Sequence, residues 1–262
     1  MQKFFRTPGV MSVLLGNMLL AFTATSACAR ERETRAGETG VLNRQVTVGE
    51  TSYGYQVFVP SNNSPNKKLP VILFLHGIGQ RGEAGIVPTE GAAGALVQSY
   101  LERVPAIVVL PQCRKGVYWS DPQMEAQAIR ALDQSVADFG GDPARVYLTG
   151  VSMGGYGAWH LAAGHPGKFA ALVPVCGGSP LRSADRYSAI ASKIGRTPTW
   201  VFHGSDDRVV PVSESRRMAE ALKAAGGNVR YTEYEGAGHN VWNRAYTEPD
   251  FLSWLLAQRL HR

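Results

Sequence analysis

Apolar residues in this chain gather into short runs set apart by glycine-rich and polar turns. The runs at 71–75 (Val71-Ile-Leu-Phe-Leu75), 106–110 and 171–175 are apolar throughout, and 199–203 resumes the sheet around Trp200-Val-Phe202. Runs of this length and kind predict strands buried on both faces. Residues 42–48 and 53–59 instead alternate apolar and polar about Gly49-Glu50, which predicts a hairpin. Val146 to Leu148 opens a further strand, and 229–234 forms the last. Helical stretches fall between these runs. Residues 91–102 form one, and 124–139 another, with Met124, Ala128, Leu132 and Val136 on one stripe. A small-residue helix follows Ser152, and 213–225 makes a helix closed by Gly226-Gly227. Thr247-Glu-Pro-Asp250 reads as a capping box that launches a last helix to about Arg259. Residues 60–70 and 176–198 read as irregular. Strands alternating with helices predict an α/β domain: a mostly parallel, twisted sheet of about eight strands with helices on both faces. In such sheets functional side chains sit beyond the carboxyl ends of the strands.

The most informative of those strand ends is Gly150-Val-Ser152-Met-Gly154, where an apolar strand turns sharply into a helix. This is the context in which Gly-x-Ser-x-Gly presents an exposed serine nucleophile, with the N–H of the following residue, Met153, aimed at a developing oxyanion. A nucleophilic serine needs a base. Of the six histidines, 76 and 203 end strands as structural hydrogen-bonders, 160 lies on the helix after the serine, 165 in a turn and 261 at the terminus. His239, in the glycine-flanked loop after the last strand, is the candidate base. The acid that orients it belongs after an intervening strand. Asp206 and Asp207 both qualify, and Asp207, just ahead of Arg-Val-Val-Pro211, is preferred.

The chain has 262 residues and 44% hydrophobic content, enough for one sizeable core. Its net charge is +6, but Lys3 and Arg6 precede an apolar stretch from Val10 to Phe22 and the small residues of 23–29. Residues 1–29 therefore read as a secretion signal with cleavage after Ala29; the alternative is cleavage before Cys28 and its lipidation. The apolar stretch falls short of a membrane span. Residues 30–40 read as a flexible leader and 41–262 as the catalytic domain. The processed chain would carry about +4 (25 basic against 21 acidic residues) and no basic run interleaved with aromatics, so neither charge nor pattern points to nucleic acid. Cys113 and Cys176 belong to no C-x-x-C pair, so no metal is implied, and the glycine-rich 76–82 stretch lacks a phosphate-binding ending.

Taken together, the order Ser152, Asp207, His239, the Leu75-His-Gly-Ile-Gly-Gln-Arg-Gly82 stretch, Pro111-Gln-Cys113 with Trp119, Ser152-Met-Gly-Gly-Tyr-Gly-Ala-Trp159 and Val175-Cys-Gly-Gly178 resemble the α/β-hydrolases. More closely, they are similar to phospholipase/carboxylesterase-type serine esterases related to prolyl oligopeptidase catalytic domains. The resemblance spans about residues 42–260. It implies that the N–H of Ile78 is the second oxyanion donor beside Met153, and that no cofactor is used. It also implies a strand order that sets the ends carrying Cys113 and Cys176 three spacings, or about 14 Å, apart, too far for a disulfide. Tyr118, Trp119 and Tyr156 are the candidates for substrate contact, with core packing as the other role open to Trp119. The short 176–198 connection leaves no room for a substantial lid. The expected activity is hydrolysis of short-chain, aromatic or carbohydrate esters outside the cytoplasm, on small-molecule or polysaccharide-linked substrates. The alternatives are a serine peptidase and a catalytically silent binding protein.

Overall fold

The computed structural model describes residues 38–64, 68–84 and 106–260. The secretion signal, most of the leader, the helix expected at 91–102 and His261 lie outside them. The hairpin forms as β1 (Gly40–Val48) and β2 (Thr51–Val59), followed by β3 (Leu69–Leu75) and β4 (Ile107–Pro111). Then come α1 (Pro122–Asp138), β5 (Gly141–Val151), α2 (Met153–Gly164), β6 (Ala171–Val175) and α3 (Arg186–Ile194). The chain continues through β7 (Thr199–Gly204), α4 (Ser213–Ala224), β8 (Val229–Tyr234), α5 (Trp242–Tyr246) and α6 (Phe251–Ala257).

The eight strands form one sheet in the order β1-β2-β4-β3-β5-β6-β7-β8. β2 runs against both its neighbours, and every other pairing after it is parallel. Period-two geometry splits each apolar run between two cores. Val71, Leu73 and Leu75 face one way, with Met124 and Leu132 of α1, Trp159 of α2 and Met218 of α4. Ile72 and Phe74 face the other way, with Trp200 and Phe202 of β7 and Phe251 and Leu255 of α6. Burial on both faces explains why these strands read as unbroken apolar runs. β4, which ends just before Cys113, and β6, which ends just before Cys176, are separated by β3 and β5, and both cysteines are buried and free.

Three expectations need correction. The 176–198 connection is not wholly irregular: α3 forms there, buries Ile190, Ala191 and Ile194, and packs between α2 and α4. The short helix α5 was not expected at all. The capping box at 247–250 does not form, because its members serve other partners. Thr247 Oγ1 donates back to the carbonyls of Asn243 and Arg244, closing α5, and Glu248 accepts from the Tyr234 hydroxyl at 2.7 Å. Asp250 caps α6 without a side-chain bond.

Candidate active site

All the chemistry collects at the carboxyl edge of the parallel strands. Ser152 follows β5 directly, as the N-cap of α2, at φ 54° and ψ −116°, a conformation that costs an L-residue about 1–3 kcal/mol. Its N–H donates to the Val175 carbonyl (2.9 Å), and its own carbonyl accepts from Tyr156 N in the first turn of α2 (3.1 Å). The elbow also needs backbone proximity that a side chain would forbid. A Cβ on Gly154 would run into the Leu75 carbonyl, and one on Gly150 into the carbonyl of Gly154. Met153 is the first residue of α2, so its N–H has no partner within the helix and sits at the helix's positive end.

The loop after β3 passes directly beside this serine. A Cβ on Gly77 would lie 3.8 Å from Ser152 Cβ. The Gly77 carbonyl accepts from Gln80 N (3.2 Å) and from the His76 ring at Nδ1 (2.7 Å). A trans peptide points its N–H away from its carbonyl, so fixing this carbonyl fixes the N–H of Ile78 on the opposite side. His76 Nε2 accepts from the backbone N–H of Cys113 at 3.0 Å, so the ring proton is on Nδ1. Burial pushes the His76 pKa down to about 4, and the ring is neutral at ordinary pH.

Asp207 and His239 arrive on the loops after β7 and β8. Asp207 Oδ1 accepts from the N–H groups of Val209 (2.8 Å) and Val210 (2.9 Å), and Oδ2 from His239 Nδ1 at 2.7 Å. Burial alone would raise the carboxyl pKa. The hydrogen bonds from His239, Val210 and Val209 outweigh it and hold the group ionised, below its ordinary range. His239 Nε2 lies 2.9 Å from Ser152 Oγ. The structure thus brings together Ser152, His239 and Asp207 in one hydrogen-bonded line. Asp206 turns away: it is exposed and accepts from the Ser205 hydroxyl at 2.9 Å. Of the other described histidines, His160 and His165 both engage Glu125 (2.6 and 2.8 Å), away from the serine.

The three aromatic candidates separate. Tyr118 is 55% exposed, with the Arg81 guanidinium 5.7 Å from its ring centre. Tyr156 is half-buried on α2, its phenol pKa raised by burial and by nearby Glu214. Trp119 is 1% exposed and is not a substrate surface. Its indole N–H donates to the His76 carbonyl at 3.0 Å and its ring packs edge-on against the His76 imidazole. An aromatic beside Tyr118 in a loop reads as surface until the fold tucks it beneath the 76–80 turn.

Sequence reasoning missed Trp242, which packs edge-on to His239, and the polar cluster of Glu214, Tyr187 and the Ser179 N–H beside Tyr156. Neither carries a local signal. One group of described residues, Cys176, Asp207 and His239, brings metal-ligand atom types within 4.8 Å. Its imidazole and carboxylate already hold each other, and burial pushes the thiol up to about 12, so it stays protonated.

Sheet order, elbow and the arrangement of serine, histidine and aspartate at the strand ends define an α/β-hydrolase. Within that class, residues 122–249, just under half the chain, match the phospholipase/carboxylesterase family. A solved thermostable esterase superposes with a TM-score of 0.73 at 33% identity, covering 84% of this chain and 63% of that one. A carboxylesterase of Arabidopsis thaliana, SOBER1, is 27% identical over 66% of this chain and 84% of its own. An uncharacterized secreted protein of Arthroderma benhamiae is 26% identical over 73% of this chain, which spans only 23% of it. By fold the chain is an α/β-hydrolase, and by these matches it is similar to carboxylesterase-type members of that class, of which it spans between about a quarter and four fifths of the length.

Proposed function

We propose that the chain is a serine carboxylic ester hydrolase working outside the cytoplasm on short-chain, aromatic or carbohydrate esters. The observation that carries this reading is the line Ser152 Oγ–His239–Asp207, at 2.9 and 2.7 Å, hung on a strained serine. In the proposed reaction Ser152 Oγ attacks the ester carbonyl carbon while His239 Nε2 takes its proton. Asp207 holds the Nδ1–H tautomer and stabilises the imidazolium without accepting its proton. The carbonyl oxygen becomes an oxyanion received by the N–H groups of Ile78 and Met153, each worth roughly 3–4 kcal/mol of barrier. Collapse expels the alcohol, protonated by His239, and leaves an acyl-serine. Water, activated by the same imidazole, then releases the acid and restores the hydroxyl. Every step is carried by side chains and backbone, with no cofactor. The extracytoplasmic setting rests on the signal-like residues 1–29 and is supported by the secreted fungal relative.

Ser152→Ala tests the reading. It should abolish hydrolysis of nitrophenyl acetate and butyrate with Tm unchanged, and a serine-directed phosphonate should label Ser152 in the unaltered protein. A label on Ser120 or Ser205 would overturn the assignment. On a panel of C2 to C16 nitrophenyl esters, feruloyl esters and acetylated sugars, a maximum at C10 or longer would overturn the substrate class.

A further inference from the structure

His203, the last residue but one of β7, has no solvent exposure and no part in the mechanism above. Its ring nevertheless reaches the same carboxylate that His239 uses. His203 Nε2 lies 3.0 Å from the Val210 carbonyl and 3.1 Å from Asp207 Oδ2. A carbonyl can only accept, so the ring proton sits on Nε2 and is shared between that carbonyl and the carboxylate. Nδ1 is then bare and accepts from the Ser215 hydroxyl of α4 at 2.7 Å. Burial holds the ring neutral by pushing its pKa below the ordinary histidine value.

Asp207 Oδ2 therefore stands between two imidazoles, His239 Nδ1 at 2.7 Å and His203 Nε2 at 3.1 Å. With the two N–H groups on Oδ1, its acceptor sites are all engaged. We propose that His203 is a positioning residue for the reaction: a buried neutral second histidine that fixes the Asp207 carboxylate and shares its charge with His239. It acts through Asp207 and never touches substrate. The inference rests on the reading of Ser152, His239 and Asp207 given above.

Two consequences separate this role from plain packing. A carboxylate relieved of one donor becomes a stronger acceptor for the other, so loss of the His203 N–H tightens the Asp207–His239 bond and moves the acid limb of the pH–rate profile. It also frees the carboxylate to turn, which lowers kcat more than it raises KM. The other charged or titratable groups around the pair are Cys176 beyond β6, Tyr156 on α2, Asp206 on the same loop, Glu214 on α4 and Glu233 on β8.

The test uses the full chain with His203→Leu, which keeps bulk but has no donor, and His203→Gln, whose amide N–H reaches a similar point. Rates on nitrophenyl butyrate are measured from pH 5 to 9, with Tm alongside. For His203→Leu, kcat should fall about 10- to 100-fold, by analogy with the loss seen when the hydrogen-bond partner behind a metal-ligating side chain is removed, with KM within twofold. The acid limb of kcat/KM should move up by roughly half a pH unit, and His203→Gln should restore both. If His203→Leu fails to fold, Ser215→Ala takes its place: without the hydroxyl the ring is loosened, and the acid limb should move in the same direction by less. An acid limb that stays at its wild-type position in every folded variant would overturn the proposal. If Ser152→Ala is inactive while the acid limb never moves, only this inference fails; if Ser152→Ala is fully active, the underlying reading fails.

Discussion

The same two residues stand at the carboxyl ends of β3 and β7, His76-Gly77 just after β3 and His203-Gly204 closing β7, at the same edge of the sheet and on either side of Ser152. Both rings are buried and both are neutral because burial penalises the imidazolium. Their partners differ. His76 holds only backbone, closing on the Gly77 carbonyl and taking the Cys113 N–H, so its proton is on Nδ1. His203 holds a carboxylate, a carbonyl and a hydroxyl, so its proton is on Nε2. The glycines differ too. A Cβ on Gly77 would meet nothing closer than 3.4 Å, whereas one on Gly204 would drive into the carbonyls of Ala237 and Gly238 in the His239 loop. One corner sets the peptide that offers the Ile78 N–H, and the other sets the acid and the loop that carries the base. The same dipeptide thus serves opposite charges of the proposed reaction, the oxyanion on one side and the imidazolium on the other.

The comparison breaks most visibly at the residue where the second corner meets the reaction. Asp207→Asn replaces an acceptor facing two histidines with an amide, which favours the wrong tautomer of His239. Turnover should fall by a factor on the order of 10⁴, with the fold retained. Asp206→Asn, one position earlier and turned to solvent, should cost far less. Steady-state kinetics on both variants checks this, and a reversal would transfer the acid's role to Asp206.

How much of this was legible in the sequence follows from the range of the interactions involved. The strands were, because burial on both faces leaves an unbroken apolar run such as 71–75 that nothing else produces so compactly. Ser152, Asp207 and His239 were assignable to strand ends for the same reason. The α3 helix was not. Its first residues are Arg186, Tyr187 and Ser188, and its buried face is only Ile190, Ala191 and Ile194, too few for a periodic stripe. The capping box failed because Thr247 had a closer acceptor behind it, in α5, than a donor ahead. The contact of His203 with Asp207, four residues on, depends on how the 204–210 turn folds back. Spacing alone left His203 a generic hydrogen-bonder.

The first corner should reveal itself in pH rather than in turnover. The His76 pKa is lowered in the fold from 6.5 to about 4. Above 6.5 neither the folded nor the unfolded chain protonates the ring, and the residue exerts no pH-dependent effect. As pH falls from 6.5 toward 4 the unfolded chain binds a proton that the folded chain refuses, so stability falls. The loss is on the order of 3 kcal/mol by pH 4. His203, also lowered, adds a fall of the same sign. Urea unfolding of the wild type and of His76→Gln between pH 7 and 4 isolates the His76 part, since the amide cannot titrate. Parallel curves for the two proteins would show that His76 titrates normally and that the corner is looser than its contacts imply.

The smallest effect tests what covers the first corner. Trp119 donates its indole N–H to the His76 carbonyl and packs on its ring, while Tyr118, next in sequence, stands in solvent under Arg81. Trp119→Phe keeps most of the apolar bulk and removes one hydrogen bond to a buried carbonyl. It should lower stability by about 1 kcal/mol, or up to about 3 if that carbonyl finds no other donor. KM should not change, because the indole is 1% exposed and offers substrate no face. Tyr118→Ala should do the reverse, leaving Tm within a degree or two and raising KM for aromatic esters more than for acetate, since an exposed ring offers substrate a stacking face worth about 0.5–1.5 kcal/mol. Chemical denaturation and KM values for nitrophenyl acetate and a feruloyl ester read both arms. A KM increase in Trp119→Phe without a stability loss would return Trp119 to the substrate and leave the His76 corner without its roof.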